Sequence, residues 1–175
     1  MGMLEAGGLE IVSDGVRVAD QSNPRGYYED ERVKTLDQDA DKSWLEAARG
    51  KAIKIISFLL KHLPDTHNYR VIFMHRDMDE VLTSQRKMLQ ALGASPQPTA
   101  DERIAAGYRA HLDAVQDLLA TRPCFDLLAL SYQDVIRRPA EQAERINQFL
   151  GGGFDVSKMA AVVDSALYRN RAPLR

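Results

Sequence analysis

The sequence predicts an α/β fold, a mainly parallel sheet flanked by helices, in one domain spanning residues 1–175. Three observations predict it. Short β-rich runs alternate with longer segments whose apolar residues recur at helical spacing. Two of the runs, Tyr69 to Met74 and Phe125 to Leu130, are nearly continuous in apolar character, as suits strands covered on both faces. Glycine and proline punctuate the boundaries.

The elements follow in order. Leu9 to Val12 reads as a short strand after the Gly7-Gly8 break. A polar stretch with Gly and Pro runs to Gly26. Residues near Glu29 to Asp37 read as a short helix, and Ser43 as the cap of another that carries Trp44. Lys51 to Ile56 is β-rich, and Ser57 is expected to cap a helical segment that stops near Pro64. Tyr69 to Met74 is the clearest strand. Met78 to Leu92 is expected to be helical, with Val81, Leu82, Met88, Leu89 and Leu92 on one face, ended by Gly93 and Pro96. Asp101 to Ala120 reads as a long helix with Ile104, Tyr108, Leu112, Val115 and Leu119 at helical spacing. After the strand Phe125 to Leu130, Arg138-Pro139 opens a helix that Gly151-Gly152-Gly153 terminates. A last helix is expected from Val156 to Leu167, followed by a basic tail to Arg175.

Composition narrows the function classes. Hydrophobic residues make up 45% of the chain, enough for a core, so disorder is excluded. The net charge of −2 gives no global attraction for nucleic acid or a membrane surface, so any anion site must be built locally. No apolar run approaches the ~20 residues of a membrane span, and the start lacks the basic and apolar regions of a signal peptide. Cys124 is the sole cysteine and lies in an apolar run, which predicts a buried structural thiol. No Cys/His cluster suggests zinc, and no metal is expected. A reducing, cytoplasmic setting is the simplest reading of the cysteine usage. No nucleic-acid or membrane partner is expected, and a homo-oligomer is compatible with this.

In parallel sheets ligands bind beyond the carboxyl ends of the strands. Val71 to Met74 ends there in His75-Arg76-Asp77, and Ser84 follows two turns into the next helix. An arginine fork and a hydroxyl can together grip a phosphate. The whole run from Val71 to Ser84 resembles the 3′-phosphate-binding segment of the sulfotransferases, which is a strand, an Arg, a polar turn that often contains Pro, an Asp, a Val and a Ser. Met78 stands where that Pro is frequent. Two further stretches are similar to the same family. Leu130 to Pro139, continuing through Ile146 to Gly151, resembles its Tyr-Glu-Asp-Leu, Pro and Phe-Leu-Gly run, read here as structural. Asn23-Pro24-Arg25-Gly26-Tyr27-Tyr28-Glu29 resembles a stretch of bacterial members.

The resemblance implies a P-loop NTPase-like sulfotransferase fold. It implies transfer of a sulfuryl group from a small-molecule donor, 3′-phosphoadenosine-5′-phosphosulfate (PAPS), to a hydroxyl or amine of an unknown acceptor. It assigns Arg76 and Ser84 to the 3′-phosphate, with Arg169 and Arg171 of the basic tail as further candidates. Lys54 matches the family lysine at the end of the preceding strand, but Ile55 and Ile56 stand where Thr and His are expected. The usual histidine base is therefore not visible, and Glu29 is the candidate carboxylate base. His62, His67 and His111 are expected at the surface. The family's loop for the 5′-phosphosulfate has no counterpart, since no Gly-Lys-Ser, Gly-Lys-Thr or Ser-Gly-Thr triplet occurs. Met1 to Gly8 resembles the end of the helix that would follow such a loop. The expectation is an N-terminal truncation or a mis-assigned start, with the first, central strand also lost, and a chain inactive by itself; a member that has lost donor binding is the alternative. The alternatives are another P-loop transferase, such as a small-molecule kinase, and a non-catalytic binding domain.

Overall fold

A computed structural model describes residues 1–19, 26–83 and 98–165. Its strands are β1 (Ile11–Val12), β2 (Ala52–Ile53), β3 (Tyr69–His75) and β4 (Phe125–Ser131). Its α-helices are α1 (Gly2–Ala6), α2 (Glu31–Lys34), α3 (residues 78–83), α4 (Pro98–Thr121), α5 (Tyr132–Arg137), α6 (Pro139–Leu150) and α7 (Val156–Ala161). Two 3₁₀ helices, Ser43–Ala48 and Ser57–His62, lie on either side of β2.

All strand pairing among the described residues is parallel, as expected, with helices packed around it. The strands form two separate pairs. β3 and β4 run side by side in full register, from Tyr69 opposite Phe125 to His75 opposite Ser131. β1 and β2 pair over only two residues each. The six-residue β-rich run around β2 thus yields a two-residue strand, because its partner offers no more. A cavity of about 730 Å³ is lined by residues of both pairs, among them Ala52, Ile53, Tyr69, Ile72 and Asp126.

The β3–β4 ribbon separates two core clusters. Side chains alternate along a strand, so Tyr69, Val71, Phe73 and Phe125 face the first cluster, where Leu36, Leu45, Leu59, Val115 and Leu119 are buried. Ile72, Leu128 and Leu130 face the second, with Val135, Ala143, Ile146 and Met159. This is why both runs read as nearly continuous in apolar character. Cys124 is buried, as predicted. α1 lies close against α7. A Cβ at Gly7 would come within 2.7 Å of Met159 Cγ, so a glycine is what permits the approach.

Several elements differ from expectation for local reasons. Ser43 and Ser57 cap no α-helix; each starts a 3₁₀ helix without a side-chain cap. The Ser57 hydroxyl is spent instead on His111 Nε2, 2.8 Å away. A short α5 fills the stretch between β4 and the helix opened at Pro139. Ser131 opens it by accepting from the Asp134 N–H. α6 begins at Pro139 and ends at Gly151 in the left-handed region, as predicted. α7 stops at Ala161, short of Leu167. His111 is half-buried and stacks on Phe58 at 3.5 Å between ring centroids. Burial, with the charge of Lys61, pushes it below its ordinary value. His67 is likewise withdrawn from the surface, its side chain 12% exposed and its Nε2 2.9 Å from Glu46 Oε1.

Candidate functional site

The full register of β3 and β4 sets up the first site. One residue past the last pair, His75 opposite Ser131, each chain leaves its strand, at Arg76 and at Tyr132. The two residues are thereby brought together, and the Arg76 guanidinium carbon lies 5.0 Å from the centroid of the Tyr132 ring. α3 begins immediately. Asp77 Oδ1 accepts from the N–H groups of Asp79 at 2.8 Å and Glu80 at 3.3 Å, so Asp77 caps the helix. Met78 is then its first residue, a place where Pro is favoured but not required. The expected Pro-to-Met difference is therefore compatible with the same local structure.

The cap also turns Glu80 inward. Its carboxylate is fully buried and accepts from Arg76 Nε at 3.1 Å and from Gln133 Nε2 at 3.2 Å. A buried carboxylate requires such partners. The Arg76 side chain remains 31% exposed, and among the described residues its ion-pair contact is made through Nε. The geometry offers a restrained guanidinium at a strand's carboxyl edge, suited to an oxyanion with fork geometry. Ser84, Arg169 and Arg171 lie outside the described residues.

The second site gathers at the end of β2. Lys54 Nζ donates to the Tyr27 carbonyl at 3.0 Å and to Glu29 Oε1 at 3.1 Å. Arg17 approaches the same carboxylate at 3.4 Å and lies over the Tyr27 ring, 3.4 Å from its centroid. The Glu29 backbone is fixed as well, its carbonyl accepting from Ser13 Oγ and the Asp14 N–H of the loop after β1. Tyr28 holds a left-handed conformation at φ 52°, uncommon for a bulky side chain, and its hydroxyl donates to Glu5 Oε2. Burial raises the Glu29 carboxyl, but the hydrogen bonds and charges of Lys54 and Arg17 outweigh it and hold the group below its ordinary value.

The structure thus joins Lys54 to Glu29, which sequence reasoning singled out separately. It surrounds Arg76 with three residues that reasoning had not assigned to the site: Glu80, Tyr132 and Gln133. Counting both chains outward from a parallel register would have found Tyr132 and Gln133. The large cavity belongs to neither group, since its lining includes neither Arg76 nor Lys54. Among the described residues no group of three or more His, Cys, Asp or Glu side chains is placed to hold a metal ion. No described helix is long and apolar enough to cross a membrane.

Neither a curated protein nor a solved structure matches the chain at a significant level. A family model described as the sulfotransferase family matches residues 18–155, well over half of the chain. The matched span contains both clusters, the lysine–carboxylate pair after β2 and the arginine at the end of β3. On that match the protein belongs to the sulfotransferase family.

Proposed function

We propose that this sulfotransferase-family chain recognises the nucleotide of PAPS through its 3′-phosphate, with Arg76 as the principal cation and Ser84, Arg169 and Arg171 as companions. The observation that carries the reading is Arg76 itself, held at a parallel strand's carboxyl edge by the buried Glu80. A restrained guanidinium there fits a phosphate dianion. When bound, the donor supplies the sulfuryl group that an acceptor hydroxyl or amine takes up. Lys54 is the cation proposed to stabilise charge during transfer, and Glu29 the carboxylate beside it. With its proton held loosely, Glu29 is better suited at neutral pH to orienting Lys54 than to accepting a proton.

The 5′ half of the donor has no such support. The sequence has no Gly-Lys-Ser, Gly-Lys-Thr or Ser-Gly-Thr loop to supply backbone N–H groups to it. We therefore propose that the 175-residue chain alone does not turn PAPS over.

Calorimetric titration with adenosine 3′,5′-bisphosphate and adenosine 5′-phosphate tests the nucleotide reading. The bisphosphate is expected to bind at least about tenfold tighter, the worth of one charged hydrogen-bonding group, and Arg76→Ala to erase that margin. Equal affinity for the two nucleotides would sink the reading. Incubation with radiolabelled PAPS and a panel of phenols, alcohols and amines tests the second claim, which any sulfated product above a chain-free control overturns.

A further inference from the structure

Glu80 is a fully buried carboxylate that the proposed chemistry does not use. It occupies the third position of α3, counted from the Asp77 cap, where a Glu ordinarily turns back to the N-cap N–H. Here its two oxygens accept from side chains at the ends of both long strands, Arg76 Nε after β3 and Gln133 Nε2 after β4. The choice of nitrogen matters. A guanidinium carries five N–H groups, one on Nε and four on the terminal nitrogens. Glu80 takes the inner one, and the terminal nitrogens of Arg76 meet no acceptor among the described residues. The Tyr132 ring lies beside the guanidinium at 5.0 Å. The side chain is thus restrained at its inner nitrogen and on one side, while the fork end stays available.

We propose that Glu80 is a positioning residue: by holding Nε it fixes the Arg76 fork in the orientation that receives the 3′-phosphate, and Gln133 in turn fixes Glu80. The inference rests on the reading of Arg76 given above. An arginine side chain is long and loses much rotamer freedom when it binds. A partner that has already restricted it lowers that cost for the phosphate ligand. The benefit accrues only to a ligand that engages the fork. A purely structural ion pair has no such selectivity, because loosening the fold weakens every nucleotide alike.

The test uses the full chain with Glu80→Leu and Gln133→Leu, titrated calorimetrically with adenosine 3′,5′-bisphosphate and with adenosine 5′-phosphate. Glu80→Leu is expected to weaken the bisphosphate about tenfold while leaving the 5′-phosphate within about twofold. Gln133→Leu is expected to give a smaller loss confined to the bisphosphate. Circular dichroism checks folding. If Glu80→Leu does not fold, the selectivity of Gln133→Leu decides the matter by the same criterion. Folded variants that keep the wild-type preference, or that lose both nucleotides in equal proportion, overturn the positioning role while leaving Arg76 as the phosphate cation. A wild-type chain with no preference for the bisphosphate overturns both.

Discussion

Glu29 lies between Lys54 and Arg17, and two opposing influences act on its proton. Burial favours the neutral acid; the hydrogen bonds and charges of the two cations favour the carboxylate and win. The folded group therefore releases its proton at lower pH than the unfolded one, whose ordinary value is 4.5. Between those two values the unfolded chain binds more protons, so stability rises with pH there. The contribution of Glu29 is full above its unfolded value and is lost as pH falls through the folded one. Urea unfolding of wild type and Glu29→Gln at about pH 7 should show the wild type ahead by about 1 kcal/mol, a modest figure because Arg17 is half exposed and solvent screens it. The gap should narrow as pH falls below 4.5 and close once the folded carboxyl is protonated as well. A gap that stays constant across that range would mean that the carboxylate's charge is not what the cations hold.

At the scale of elements, short helices survive here by their caps. α2 has four residues, too few to be stable by propagation alone. Asp30 holds its start, accepting the Arg32 N–H at 3.0 Å and, through both oxygens, the Arg32 guanidinium at 2.9 and 2.7 Å. The carboxylate is nearly fully buried, and Arg32 in turn lies over Trp44. Asp30→Ala should cost about 1–3 kcal/mol in urea unfolding, by loss of the cap and of a charged hydrogen-bonded pair. A loss below about 0.5 kcal/mol, the floor for such caps, would show that α2 is held by Val33 in the core instead. The sequence made β3, β4 and α6 legible because their apolar periods and their Pro and Gly boundaries act locally. Ser57 misled, since a serine hydroxyl serves a cap or a distant histidine equally well, and the choice depends on where α4 packs; Ser43 is engaged locally by Asp41 instead. The same distinction divides the site. Arg76 could be read from its own strand. Glu80 meets it locally, four residues on, through the Asp77 cap, whereas Tyr132 and Gln133 became its neighbours only through a register between strands far apart in the chain.

For the whole molecule, the division of the strands into two pairs predicts an uneven stability. The β3–β4 ribbon is paired along seven residues of each strand and packed on both faces by buried clusters. The β1–β2 pair is two residues long, with all four of those residues only partly buried. Between the pairs lies the cavity, whose walls lack the dispersion contacts that a filled interior would give them. Opening β1–β2 therefore exposes little apolar surface and breaks few backbone hydrogen bonds, whereas opening β3–β4 dismantles both clusters. Backbone amides inside the β3–β4 ladder should exchange with solvent only by global unfolding, while the Ala52 N–H, bonded to the Glu10 carbonyl at 2.8 Å, should exchange at least about tenfold faster by local opening. Native-state hydrogen exchange followed by NMR measures both. Equal protection at the two ladders would show that the cavity does not uncouple them, and that the four strands open as one cooperative unit.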